Sequence, residues 1–153
     1  MGTFYVVRHA KAGSRSHWTG DDRKRPLSQK GVKQADALVD VLEPFPVTGI
    51  FSSPFLRCLQ TVEPLARAHD LEVQAASSLA EGHGLTGAMR YMGDPKLDQV
   101  VLSTHGDIVW ELVEHLVRRH VIKAGEGGFE KGSTWVVEMD GEAPVRARYI
   151  PAP

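Results

Sequence analysis

The sequence predicts an α/β fold built on parallel strands, and three stretches carry that expectation. Phe4-Tyr5-Val6-Val7 and Val100-Val101-Leu102 are short runs of strand formers, apolar on both faces as buried parallel strands are. Each leads into a histidine, His9 or His105, with small residues around it and a helical pattern downstream. At the C-terminal end, Trp135–Met139 and Val145–Ile150 flank Asp140-Gly141, which reads as a hairpin at the sheet edge.

The elements follow in order. After the first strand, Gly13 to Arg25 is polar and aperiodic, a loop carrying Arg15, His17, Asp21, Asp22, Arg23, Lys24 and Arg25. Most of these charges suit a solvated loop. Because the loop leaves directly from Arg8-His9, some of its cations are expected to rim whatever binds there. Ser28 is an N-cap, with Leu27 placed to staple onto Val32. Val32, Ala35, Leu38, Val39 and Leu42 share one helical face, and Pro44 and Pro46 end that helix.

Ile50 to Ser52 is a second strand. Ser53 as N-cap and Pro54 as first helical residue then open a second helix, which Pro64 should bend or loosen. Arg57 lies in its opening turn, where the dipole suits an arginine that grips an anion; an exposed residue paired with Glu63 is the plainer reading. Cys58 reads as a packing residue. Leu71 to Gln74 is a short strand, Glu81 and His83 lie in a loop, and Thr86 to Met92 forms a short helix. After His105, residues Ile108, Val109, Leu112, Val113, Leu116 and Val117 form a wide apolar helical stripe, with His115, Arg118, Arg119 and His120 on a solvated face. Asp107 can cap that helix or orient a neighbour. Gly125 to Gly132 is glycine-rich but lacks the lysine-hydroxyl ending of a nucleotide-binding P-loop.

Composition excludes several classes. The 153 residues suit one domain, 1–150, with a short Pro-Ala-Pro tail at 151–153. A net charge of −1 offers no field for nucleic acid. No apolar run is long enough to span a membrane, no signal segment is evident, and the single cysteine cannot form an internal disulfide, so a cytoplasmic protein is expected.

In open α/β sheets, ligands bind beyond the carboxyl ends of the strands. Arg8 and His9 occupy one such end and His105 another, ahead of a helix N-terminus that favours anions. A neutral imidazole is a nucleophile near pH 7, and fixed cations stabilise a phosphoryl group in transfer. Such chemistry needs a proton donor, for which Glu81 is the candidate.

At this point the sequence resembles the histidine phosphatase superfamily, which includes the cofactor-dependent phosphoglycerate mutases. The resemblance rests on Arg8-His9-Ala10, on Arg25-Pro26-Leu27-Ser28 with Gly31 and Gln34-Ala35, on Ser53-Pro54 with Arg57, Gln60 and Thr61, and on Ser103-Thr104-His105-Gly106. It implies a three-layer α/β/α sandwich whose mostly parallel sheet has an antiparallel edge. It implies His9 as the phosphorylated nucleophile, Arg8, Arg57 and His105 as the phosphate pocket, and Glu81 as proton donor, in a histidine acid-type phosphatase with no metal or other cofactor. Ala10 and the short segment between Glu81 and His105 fit the branch resembling bacterial phosphohistidine phosphatases, whose open site admits a protein-borne phosphohistidine.

A second resemblance rests on Ala12-Gly13-Ser14-Arg15, Gly20-Asp21-Asp22 and Lys131-Gly132-Ser133-Thr134-Trp135. These stretches look like the phosphatase domain behind a Nudix domain in some actinobacterial proteins, although no Nudix box is present. That likeness implies a nucleotide or other small phosphorylated metabolite as alternative substrate. A non-catalytic phospho-ligand binding module is the alternative of another class. A metal hydrolase using His9, His17, His105, Asp21 and Asp22 is disfavoured, because no histidine pair has ligand-like helical spacing.

Overall fold

A computed structural model describes residues 1–153. In chain order the elements are β1 (Gly2–Arg8), α1 (Gln29–Leu42), β2 (Gly49–Ser52), α2 (Leu56–Ala68), β3 (Val73–Ala75), α3 (Gly84–Met92), β4 (Val100–Thr104), α4 (Gly106–Arg118), β5 (Thr134–Asp140) and β6 (Ala143–Ile150). Single 3₁₀ turns lie at Asp22–Lys24 and Ser77–Leu79. The six strands form one sheet in the order β3-β2-β4-β1-β5-β6. β3, β2, β4 and β1 run parallel; β5 is antiparallel to both β1 and β6.

Side chains alternate across a strand, so β1 supplies both faces of the core. Phe4 and Val6 pack with Leu102, Ile108, Leu112 and Trp135 on the α3/α4 side. Tyr5 and Val7 pack with Leu38, Ile50, Val62 and Leu65 on the α1/α2 side. The result is the expected three-layer α/β/α sandwich with an antiparallel hairpin at one edge. Gly141, at φ 61°, makes the hairpin turn that an L side chain would strain. No helix is long and apolar enough to cross a membrane.

Two local expectations are corrected. Ser28 does cap α1, accepting the Gly31 N–H at 3.2 Å, but Leu27 does not staple onto Val32. Val32 is 48% exposed, and Leu27 instead packs with Ala10 and Ala35 beneath the β1 loop. Nor does Ser53 cap α2: the helix starts later, at Leu56, and Ser53 is fully buried with its hydroxyl turned to His105. α2 runs through Pro64 to Ala68, and the missing N–H of Pro64 gives the Gln60 carbonyl no donor within the helix.

Candidate active site

The parallel register of β1 and β4 builds the site. Arg8 lies opposite Thr104, so the next residue on each strand is a histidine. The His9 N–H donates to the Thr104 carbonyl at 2.9 Å, and the two imidazole centroids stand 5.6 Å apart in an edge-to-face arrangement. His9 Nδ1 lies 2.7 Å from the Ala10 carbonyl oxygen. A carbonyl can only accept, so Nδ1 carries the hydrogen and Nε2 keeps its lone pair. Burial pushes the His9 pKa down to about 3, with the charges of His105, Arg57 and Arg8 acting the same way against the Ala10 hydrogen bond. His9 is therefore neutral at pH 7 with an unprotonated Nε2.

The residues around His9 that matched the resemblance brace its turn. Thr61 Oγ1 accepts the Ala10 N–H at 2.9 Å and donates to the Arg57 carbonyl at 2.7 Å. Gln34 accepts the Lys11 N–H, and Gln60 accepts the Leu27 N–H. Ser28 donates to the Lys11 carbonyl through its backbone N–H. At Gly31 a Cβ would lie 1.9 Å from that same oxygen, so only glycine lets α1 approach.

Arg57 is 1% exposed, not a surface residue paired with Glu63. Its Nη1 donates to the Asp22 carbonyl at 2.9 Å, and its Nη2 reaches Asp22 Oδ2 at 3.2 Å and Glu81 Oε1 at 2.8 Å. Arg8 Nη1 donates to the Phe129 carbonyl at 2.7 Å, and its guanidinium lies 5.5 Å from the Phe129 ring centroid. The Nε atoms of Arg8 and Arg57 are both buried with no acceptor in the protein. Buried donors without partners are rare and costly, and these two belong to arginines that line the same cavity as His9.

His105 sits at the N-cap position of α4. Its Nε2 is 2.8 Å from Ser53 Oγ and 3.5 Å from Cys58 Sγ, while Nδ1 lies 3.9 Å from Glu81 Oε1. Burial lowers its pKa to about 3, Arg57 adding to the effect. Burial also raises the Cys58 thiol to about 12, so it is an inert packing group. The half-exposed Glu81 is placed by its neighbours: the Gly82 N–H donates to Asp107 Oδ2 at 2.9 Å, and Thr104 Oγ1 donates to the Leu79 carbonyl at 2.6 Å.

The structure thus gathers Arg8, His9, Arg57, Glu81 and His105 around one cavity of about 360 Å³. It adds residues that sequence reasoning did not place there. Asp22 is a second carboxylate on Arg57; burial alone would raise its pKa, but the hydrogen bonds and positive charges of Arg25 and Arg57 together lower it. Nothing local signals this, because the contact crosses from an aperiodic loop. Asp107, Trp110 and Phe129 also line the cavity. An aromatic residue at the end of a run of glycines was the one available sign of Phe129. Of the loop cations expected to rim the pocket, Arg15 does so. Lys11 lines the neighbouring groove with Arg8 and Lys131, whereas Arg25 is buried and bonds the Gly13 carbonyl. No group of three or more His, Cys, Asp or Glu side chains is arranged to hold a metal ion.

A model of the histidine phosphatase superfamily (branch 1) matches residues 4–90. An 8-oxo-(d)GTP phosphatase of Mycolicibacterium smegmatis is 37% identical over 161 residues, covering 99% of this chain and 48% of that protein. The chain therefore spans about half the length of that relative. Among solved structures, the SixA of Agrobacterium tumefaciens superposes with a TM-score of 0.77 at 21% identity, over 99% of this chain and 98% of that one. The protein histidine phosphatase SixA complexed with tungstate gives 0.74 at 19%, over 97% and 94%. At these identities the two structures establish the fold.

Proposed function

This chain belongs to the histidine phosphatase superfamily, and from this we propose that it is a phosphatase that hydrolyses its substrate through a phosphohistidine formed on His9. Nε2 of His9 attacks phosphorus with its lone pair, and the bond from phosphorus to the leaving group breaks. The leaving atom keeps that electron pair and takes a proton from the Glu81 carboxylic acid. Glu81, now a carboxylate, removes a proton from a water that attacks the phosphorus. The P–N bond breaks, its electrons return to Nε2, and inorganic phosphate departs. Throughout, Nδ1–H stays on the Ala10 carbonyl, which supports the positive ring of the intermediate.

The oxygens in transfer fall to the guanidinium groups of Arg8 and Arg57 and to His105. If the Ser53 hydroxyl donates to His105 Nε2, Nδ1–H becomes the third donor. Such preorganised donors supply much of the rate in phosphoryl transfer. Phosphate takes the place of Glu81 on Arg57, which leaves the carboxyl free to face the leaving group. The observation that carries the reading is the fixed tautomer of His9, whose free nitrogen belongs to a residue lining a cavity with three guanidinium groups, those of Arg8, Arg15 and Arg57.

For substrate, a phosphorylated nucleotide takes precedence, because the 37%-identical relative bears the name of a nucleotide phosphatase. Protein-borne phosphohistidine is the second reading, favoured by the open rim where Glu81 and Trp110 are exposed. In this reading residues 1–150 act as one cytoplasmic domain without a metal cofactor. The test is rapid acid-free quenching of a turnover reaction on labelled substrate. Acid-labile phosphate should be trapped on the wild type and absent from His9→Ala, which should also lose turnover. Undiminished turnover by His9→Ala refutes the mechanism, and turnover of nucleotides, phosphohistidine and sugar phosphates side by side ranks the substrates.

A further inference from the structure

A second cavity, about 410 Å³, opens behind the first. It runs between α4 and the glycine-rich loop, and its lining includes Val113, Val117 and Gly127. Trp110 and Phe129 border both cavities. Their rings stand 5.2 Å apart, tilted by 56°, and remain 47% and 36% exposed. Large aromatic groups left open at a polar-rimmed mouth mark a surface meant to be covered.

The wall is preformed. Phe129 is held by its carbonyl on Arg8, and Trp135 Nε1 donates to the Gly128 carbonyl at 2.7 Å. At Gly127 the φ of 72° and a would-be Cβ at 2.6 Å from the Trp135 ring show the loop seated directly on the core. Glu114, Glu126 and Arg118 give the cavity two carboxylates and a guanidinium among its apolar groups. Its volume lies in the range of about 300–1,000 Å³ typical of small-molecule sites.

We propose that the Trp110–Phe129 pair and the cavity behind it receive a planar nucleobase carried on the leaving group. A phosphate on Arg8 and His9 sends the rest of its substrate outward past these two rings, which line the same cavity as the two site residues. Phe129 then serves twice: its carbonyl fixes Arg8, and its ring with Trp110 offers the base a stacking face. The inference rests on the phosphatase reading for where the phosphate lies, and it assigns the selectivity of the site to residues 110 and 129.

Equilibrium binding separates it from that reading, because it needs no turnover. Guanosine 5′-monophosphate and ribose 5-phosphate, which share a phosphate and sugar, are titrated calorimetrically into His9→Ala protein, alone and with Trp110→Ala added. The base should tighten binding at least about tenfold, the size of base–aromatic stacking. Adding Trp110→Ala should bring the two ligands within about threefold of one another. Trp110 is a surface residue, so its loss should leave the far-ultraviolet circular dichroism unchanged; Val113→Glu, which puts a charge in the cavity wall, gives a second variant with the same expected loss. Equal affinity for the two ligands, no nucleotide binding, or a preference that survives both variants overturns the proposal. Phosphatase activity that persists in His9→Ala instead overturns the mechanism, whatever the binding data show.

Discussion

Acidifying the protein from pH 7 to pH 5 should weaken the fold through the two site histidines. His9 and His105 have pKa values lowered from 6.5 to about 3 in the folded chain. Between those limits the unfolded chain binds more protons than the folded one, so stability rises with pH across that window. The contribution is fully present above about pH 6.5 and is lost as pH falls toward 3. Integrated from pH 7 to pH 5, each histidine contributes about 2 kcal/mol, and the pair about 4 kcal/mol. That is a large share of the roughly 5–15 kcal/mol that holds a typical domain folded. Urea unfolding at pH 7, 6 and 5 reads the loss directly. The His9→Asn/His105→Asn double variant should lose far less over the same range, which separates these residues from His115, whose pKa burial also lowers. A wild-type loss below about 1 kcal/mol, or an equal loss in the double variant, refutes the reasoning.

Gly106→Ala sets a Cβ 2.6 Å from the Arg8 guanidinium. A flexible side-chain end can move, so stability should change by under about 1 kcal/mol. Phosphatase turnover should nevertheless fall at least about tenfold, since a displaced guanidinium no longer fits the phosphoryl group; a variant of wild-type activity contradicts this. Ser53→Ala leaves His105 Nε2 without its 2.8 Å partner and should cost about 1–3 kcal/mol in urea unfolding. Cys58, with its thiol raised to about 12, should resist iodoacetamide at pH 8 until the chain unfolds. Stoichiometric alkylation of the native protein, read by mass spectrometry, argues against that burial.

The folded chain separates residues with similar local signals. Ser28 and Ser53 each precede a helical pattern, and sequence alone reads both as caps. Ser28 is one; Ser53 lies before the N-cap, Phe55, whose N–H its hydroxyl accepts at 3.3 Å while also meeting His105 on a neighbouring strand end. Val32 and Ala35 share a helical stripe, yet only Ala35 is covered, because the β1 loop folds over one end of the helix and leaves the other side open. Arg57 reads more plainly as a surface residue than as an anion ligand until the Asp22 loop and the Glu81 loop close over it.

What the sequence determines alone is what short-range pattern encodes: strands apolar on both faces, helices with one apolar stripe, the hairpin, and the histidines that end β1 and β4. Their pairing follows once the strands are parallel neighbours, because register carries Arg8 to Thr104. Tertiary structure decides the rest of the site. The Asp22–Arg57 contact spans 35 residues and the Arg8–Phe129 contact spans 121. Loop residues have no periodicity to betray a distant partner. Their positions are set by which buried donors and carbonyls must be satisfied after the sheet has formed, and that requirement exists only in the folded chain.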